Sequence, residues 1–187
     1  MAMVVALAMA GCQSLETPSS RVRSYDLGAA ESTVPMPNYL ISTVTLSAPA
    51  WLRTTAMQYR MSDEDPRERR AYRDHRWVAP PGELIGARLQ RDFAAEGRCR
   101  MELSLEEFVQ DFSSPQESAG VMTVRASLGP DGDGSAQLHR RFAFRVPAGR
   151  PDAPAGVEAL VRAVGQLSVE IRVWVDQPDA RGLCQRS

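Results

Sequence analysis

The residue types best suited to proton transfer, thiol chemistry and metal binding are rare in this chain, which has 2 histidines and 3 cysteines. His75 lies in a charged stretch and His139 on the polar face of a predicted strand, and neither has a cysteine or a paired acid beside it. The sequence contains no Gly-x-Ser-x-Gly elbow, no His-Glu-x-x-His motif, no Cys-x-x-Cys pair and no glycine-rich phosphate loop. It therefore predicts no catalytic residue, no metal site and no cofactor.

The basic residues exclude further classes of function, because all 22 of them are arginines. Without lysine there is no phosphate-binding P-loop lysine, no Schiff-base chemistry and no kinase-type Lys–Glu pair. If the protein belongs to an ATP-driven machine, it is not the ATPase. The formal net charge of −1 also gives no reason to expect nucleic acid as a partner.

Two stretches contain enough acidic residues to be considered as catalytic or calcium-binding sites. The acids at residues 63–65 are followed at once by arginines at 67, 69 and 70, so we expect residues 62–76 to be a mixed-charge, solvated loop. The turn at residues 129–134 has the Asp-x-Asp-Gly start of a calcium loop but lacks the remaining ligands and the terminal Glu. Hairpin chemistry is the better interpretation of that turn.

The N-terminus has the pattern of a sorting signal. Residues 1–11 are uncharged and apolar, too short to span a bilayer but typical of the apolar region of a secretory signal. Ala10 and Gly11 directly before Cys12 resemble the lipobox of bacterial lipoproteins, in which the cysteine is acylated and the signal is removed. No Lys or Arg precedes the apolar run, so we expect the true start to lie upstream.

This interpretation makes Cys12 the lipid-attachment residue, with palmitate or a similar acyl chain, and residues 12–24 a polar tether. Lipoproteins with a residue other than Asp after the cysteine usually go to the outer membrane, and here Gln13 follows it. We therefore expect anchoring at the periplasmic face of the outer membrane. The alternative is an apolar N-terminus that carries a cysteine by chance.

Hydrophobic periodicity predicts the elements of residues 25–187, which we take as one domain. The predicted strands are residues 39–46, 56–61, 100–112, 121–128 and 136–146, and the predicted helices are residues 82–96 and 153–175. In the third strand the alternation slips at Glu107-Phe108, as a β-bulge would cause. The expected fold class is α+β: a largely antiparallel sheet with two helices packed on one face.

The remaining cysteines, Cys99 and Cys184, form an even pair in a compartment that oxidises thiols. We therefore predict a disulfide between them, which requires their Cα atoms to lie within about 7 Å. The order of the elements does not bring the two positions together by itself. Two separate thiols remain the alternative.

Several short motifs resemble the ABC-type transport auxiliary lipoprotein family. Ser-Tyr-Asp-Leu-Gly at residues 24–28 soon follows the lipobox, Ala-Trp-Leu at residues 50–52 precedes a strand, and residues 76–81 (RWVAPP) lead into the first helix. The helix at residues 157–175 is similar to the last helix of the family. The resemblance covers nearly all of the chain after the tether.

This resemblance implies a non-enzymatic role in which the protein acts by contacting the components of a transport system. Members accompany ABC transporters with mammalian-cell-entry (MCE) domain proteins, which move lipids or other hydrophobic compounds between the inner and outer membranes. The expected partners are thus an MCE-domain protein with its ABC transporter complex and the membrane, through the N-terminal lipid, while a homo-oligomer is left open. The alternative function is a freestanding periplasmic lipid-binding or chaperone lipoprotein.

Overall fold

A computed structural model describes residues 21–29, 40–132 and 137–185. Cys12 and the predicted signal peptide lie outside these residues. In chain order, the described strands and helices are β1 (Arg23–Tyr25), β2 (Ile41–Ser47), β3 (Ala56–Met61), β4 (Arg70–Trp77), α1 (Pro81–Phe93), β5 (Cys99–Ser114), β6 (Glu117–Pro130), β7 (Leu138–Pro147), α2 (Ala153–Val175) and α3 (Pro178–Gln185), with a 3₁₀ turn at Ala50–Leu52. They form a single α+β domain, as predicted. Among the residues that the structure describes, none of the helices combines the length and the hydropathy that a membrane span requires.

The sheet is mixed, which corrects the expectation of a largely antiparallel one. Its strand order is β1-β4-β3-β5-β6-β7, and β2 also pairs with β5. β5, β6 and β7 pair antiparallel as consecutive hairpins, whereas β1–β4, β2–β5 and β3–β5 are parallel pairs. The reason is the length of β5, whose 16 residues accept β2 along their first half and β3 near their end on the same edge. Both strands reach that edge running in the same direction as β5.

The prediction that residues 62–76 form a solvated loop is wrong for its second half, where β4 runs. The charges of this stretch do not prevent a strand, because neighbouring groups pair them: Arg70 contacts Glu64 at 2.8 Å and Glu68 at 2.6 Å. Tyr72 then points inward and is partly buried. β4 also gains a parallel partner in β1, which includes Arg23 and Ser24 from the predicted tether.

The predicted bulge in β5 is present one residue earlier than the slip in the sequence pattern. Leu105 pairs with Val124 and Glu107 pairs with Thr123, so Glu106 is the extra residue. A bulge places two residues of one strand opposite one residue of its partner and turns the following side chains by one step. Phe108 therefore returns to the core, where it is 3% exposed.

The core lies between the sheet and the helices. α2 has the predicted bounds and the predicted apolar stripe, and Leu160, Leu167 and Ile171 on it are almost wholly buried. Burying each such side chain stabilises the fold by about 1.5–3 kcal/mol. α2 contacts β5, β6 and β7, and α1 contacts β2. The guanidinium of Arg172 on α2 lies over the ring of Phe93 on α1.

Candidate functional site

A groove separates the N-terminal segment from the first turns of α2. It has a volume of about 340 Å³ and is open to solvent on one side. Its walls are mainly apolar, and the residues that line it are Ser24, Tyr25, Asp26, Leu27, Gly28, Val78, Val157, Glu158 and Val161. We call this cavity the N-terminal groove. The motif at residues 24–28, which carries part of the family resemblance, forms one entire wall.

That wall is fixed by contacts to β4. The Tyr25 hydroxyl lies 2.8 Å from Nδ1 of His75, and the two rings stack with centroids 5.7 Å apart. The backbone N–H of Val78 donates to the carbonyl of Tyr25 at 2.8 Å. His75, which the sequence placed in a loop, is therefore a strand residue that positions Tyr25.

The end of the same segment turns sharply. The Gly28 N–H donates to the carboxylate of Asp26 at 2.8 Å, and Gly28 has a φ of +69°. This left-handed conformation favours glycine, because other residues pay a steric cost for it. The turn leaves Leu27 buried at 8% exposure and Asp26 at the edge of the groove.

The opposite wall depends on how α2 begins. The carboxylate of Asp152 accepts the Ala155 N–H at 2.8 Å and so caps the N-terminus of the helix. This bond, helped by the hydrogen bond from Arg150, lowers the pKa of Asp152 below its ordinary value. The cap starts the helix so that Val157 and Val161 face the groove.

A buried polar cluster holds this end of α2 against the sheet. Gln110 is fully buried, and its Nε2 donates to Ser118 Oγ at 2.8 Å and to the carbonyl of Asp152 at 3.1 Å. Its Oε1 accepts from the hydroxyl of Tyr72 at 2.9 Å. Burial raises the pKa of Tyr72, so the phenol stays protonated and keeps donating. Gln110 thereby ties β4, β6 and the start of α2 together.

The composition of the groove suits contact with apolar groups. Valine and leucine side chains form its walls, and Asp26 and Glu158 supply two carboxylates at its edges. Apolar walls with a few polar groups are the usual composition of ligand and partner sites. Glu158 is exposed to solvent, so it suits recognition of a cationic group better than general-base chemistry.

On the opposite face of the sheet from α2, one buried acid lies among arginines. Asp111, which is 5% exposed, accepts hydrogen bonds from Arg60, Arg145 and the hydroxyl of Ser62. Burial acts to raise the pKa of Asp111, but these hydrogen bonds outweigh it and lower the pKa below its ordinary value. Asp111 is therefore an ionised carboxylate at neutral pH. The sequence analysis did not identify it.

The structure brings together one pair of the residues that the sequence predicted. Cys99 and Cys184 lie side by side, with Cα atoms 5.5 Å apart and their sulfurs at bonding distance. α3, which the sequence did not predict, brings Cys184 to the start of β5. The geometric condition for the disulfide is met, and its formation in the cell stays a prediction. The predicted lipid site, Cys12, lies outside the described residues.

The other candidate side chains remain apart. His139 is exposed on β7, while His75 contacts Tyr25 on the other edge of the sheet. Asp65 pairs with Arg67, so the acidic stretch is neutralised locally as the sequence suggested. Within the described ranges no group of three or more His, Cys, Asp or Glu side chains could hold a metal ion.

Sequence reasoning missed the groove itself because its two walls are far apart along the chain. The motif at residues 24–28 was visible, but nothing in it indicates that α2 would lie opposite. One signal was available: Val78 is apolar although it lies in the connection just before the Pro-Pro start of the first helix. It is 56% exposed and lines the groove.

Comparison with known proteins agrees with this fold. A protein from Xanthomonas campestris (XCC0632, family DUF330) superimposes with a TM-score of 0.65 at 17% identity, covering 84% of this chain and 87% of that one. A second crystal structure, of an uncharacterized protein, gives a TM-score of 0.63 at 15% identity and covers 83% of this chain and 99% of the other. At these identities the likeness shows the fold alone. No curated protein matches the chain.

The sequence itself identifies the family. Residues 25–172 match the family model described as the ABC-type transport auxiliary lipoprotein component. The match starts at Tyr25 in the groove wall and runs almost to the end of α2, so it includes both walls of the groove. The chain therefore belongs to the ABC-type transport auxiliary lipoprotein family.

Proposed function

We propose that this protein is a non-enzymatic periplasmic lipoprotein that assists an MCE-type ABC transport system moving lipids or hydrophobic compounds between the two membranes. In this proposal a lipid on Cys12 anchors it to the periplasmic face of the outer membrane. The observation that carries the proposal is the family match over residues 25–172. The absence of lysine fits the accessory role, because the chain lacks the P-loop lysine of an ATPase.

The N-terminal groove is the site that we assign to contact with the transport complex. Its volume of about 340 Å³ is at the lower end of the range for ligand sites, roughly 300–1,000 Å³, and it is open on one side. A cavity of this size suits a few apolar side chains of a partner better than a whole phospholipid. The carboxylates of Asp26 and Glu158 would favour a basic residue beside those side chains.

The test is affinity purification of the intact lipoprotein from its own host, followed by mass spectrometry of the proteins that co-purify. We expect a permease, an ATPase and an MCE-domain protein. Val78→Asp places a charge in the groove, and Val169→Asp is its matched control, because both valines are 56% exposed and Val169 does not line the groove. Val78→Asp should reduce recovery of the complex and Val169→Asp should not. Wild-type protein that recovers none of these components would contradict the proposal.

The apolar walls of the groove also support a second candidate, a freestanding lipid-binding lipoprotein. The same purification separates the two candidates if bound lipids are extracted and quantified. One lipid per protein without transporter components, lost in Val78→Asp, would favour the second candidate. Transporter components without stoichiometric lipid would favour the first.

A further inference from the structure

The sheet face opposite α2 carries a network of arginines and acids. On β5, β6 and β7, the residues that alternate with the core positions point to this face. The bulge in β5 places Glu106 and Glu107 on it together, because both contact arginines there. We call the following set the arginine face: Arg60, Arg69, Arg125, Arg141 and Arg145, with Glu106, Glu107 and Asp111 between them.

Each acid of the arginine face joins two arginines. Glu106 contacts Arg125 at 2.5 Å and Arg141 at 3.2 Å. These two arginines are directly opposite each other on β6 and β7. Like charges in that position repel, so the glutamate between them offsets a destabilising pair. It also fixes the directions of both guanidinium groups.

Three of the five arginines are far more exposed than the acids, whereas Arg60 and Arg69 are only 18% and 29% exposed. The side chains of Arg125, Arg141 and Arg145 are 64%, 61% and 50% exposed. Those of Glu106, Glu107 and Asp111 are 27%, 19% and 7% exposed. Five arginines and three acids leave an excess of two positive charges, and the outermost groups of this set are the guanidinium groups of Arg125, Arg141 and Arg145. From the solvent this set is more positive than its charge count indicates, and the exposed Glu102 on the same face of β5 is paired with Arg100.

We propose that the arginine face binds an acidic protein surface whose carboxylates reach the outer N–H groups of Arg125, Arg141 and Arg145. A guanidinium has five donors, and one carboxylate below it leaves donors for a second carboxylate above. The three arginines are already held in place by Glu106 and Asp111, so a partner orders fewer side chains on binding. This binding is independent of the N-terminal groove and of the identity of the transport complex.

A membrane surface is the less suitable occupant. Recognition of anionic lipids by juxtamembrane segments uses about 4–8 basic residues, each contributing about 1 kcal/mol. The arginine face has an excess of two, and the whole chain has a net charge of −1. This excess is too small for strong attraction to an anionic bilayer. Three guanidinium groups in fixed positions suit the carboxylates of a protein surface better.

The test uses the lipidated protein in a neutral detergent and fluorescent poly-L-glutamate as the probe, titrated at several salt concentrations. We expect Arg125→Gln/Arg141→Gln to weaken binding about tenfold, because each exposed ion pair contributes up to about 1 kcal/mol. The matched control is Arg91→Gln/Arg181→Gln, which removes two arginines of similar exposure, 65% and 55%, from α1 and α3. The control should weaken binding less than about twofold, and the salt dependence should fall only in the first variant.

The proposal is overturned if the wild type does not bind the probe. It is also overturned if both double variants lose affinity equally, because the attraction then comes from the overall charge of the protein and not from the arginine face. It is also overturned if glycerol phosphate displaces the probe at concentrations at which free glutamate does not, because a lipid headgroup is then the better ligand. Circular dichroism checks that the variants fold. If the glutamine double variant does not fold, Arg125→Lys/Arg141→Lys is used in its place: it retains the charge but removes the guanidinium donors, so its binding should fall by about threefold or more, and unchanged binding would overturn the proposal.

Discussion

Gly156 on α2 packs directly against the side chain of Gln110 on β5. A Cβ atom at position 156 would overlap the amide group of Gln110. That amide makes three hydrogen bonds in a fully buried position, so moving it aside would break them. The close approach of α2 to the sheet therefore depends on the missing side chain at this position.

We predict that Gly156→Ala lowers the free energy of unfolding by about 1–3 kcal/mol, as overpacking does in other cores. The control is Gly165→Ala on the same helix, where an added Cβ meets nothing within 4 Å. Because alanine favours a helix over glycine, this change should raise stability by about 0.5–1 kcal/mol. Urea denaturation measures both. Equal effects of the two substitutions would show that Gln110 moves aside freely.

A second prediction concerns Asp111 and pH. Its pKa in the folded state lies below the ordinary value of 3.8, so its ionised form stabilises the fold above that pH. This contribution falls as the pH drops through 3.8 and is lost below the pKa of the folded state. Asp111→Asn should therefore lower the free energy of unfolding by about 2 kcal/mol at pH 7. This is less than the loss expected for a fully buried ion pair, because Arg145 is half-exposed.

The measurement for Asp111 is the difference in unfolding free energy between wild type and Asp111→Asn at pH 7, 4 and 2.5. Asp65, Glu68 and Asp152 also have lowered pKa values, so the wild-type curve alone does not isolate Asp111. The difference between the two proteins should shrink toward zero at the lowest pH. A difference that stays constant would assign the effect to packing and not to charge.

Elements with an unbroken pattern were predictable from the sequence. The alternation of β3 and the i, i+3, i+4 stripe of α2 gave both elements with the bounds of the structure. β4 was not predictable, because its charges are compensated by residues elsewhere, such as Glu64 for Arg70. The parallel pairing of β2 and β3 with β5 depends on contacts distant in sequence, which no local pattern encodes.

The same division applies to the sites. Cys99 and Cys184 could be paired by counting cysteines, although only the fold shows that α3 brings them together. The arginine face could not be predicted from spacing, although the bulge that shapes it was visible in the sequence, because the face combines residues of β3, β5, β6 and β7 whose pairing no local pattern encodes. A strictly alternating strand would have placed Glu106 and Glu107 on opposite faces.

The third prediction is that Cys99 and Cys184 are oxidised in the secreted protein. The bond would close a loop with a sequence separation of 85, for which the chain-entropy model gives roughly 4–5 kcal/mol as an upper figure. Cys184→Ala should lower stability by up to that amount and loosen α3 from the sheet. Peptide mapping without reductant decides the question, and free, alkylatable thiols at both positions would contradict it.

The fourth prediction assigns the lipid to Cys12. Several acyl chains, at about 0.8 kcal/mol per buried CH₂, suffice for stable anchoring where one chain is marginal. Cys12→Ser should therefore give an unprocessed or soluble protein that takes up no radiolabelled palmitate. The control is Cys184→Ala, which should incorporate palmitate like the wild type. Equal labelling of Cys12→Ser and the wild type would disprove the assignment.

The last prediction is that the protein has no intrinsic turnover on esters, phosphoesters, peptides or nucleotides. Nucleophilic or general-base catalysis needs a base within hydrogen-bonding reach of a nucleophile, oriented by a third group. In the described residues the nitrogen Nδ1 of His75 is occupied by the Tyr25 hydroxyl beside the groove, and His139 is exposed on β7. The measurement is a panel of chromogenic substrates with wild type, His75→Ala and His139→Ala. A robust hydrolytic rate that either substitution abolishes would require an enzymatic function, whereas a trace rate unchanged in both variants points to a contaminant.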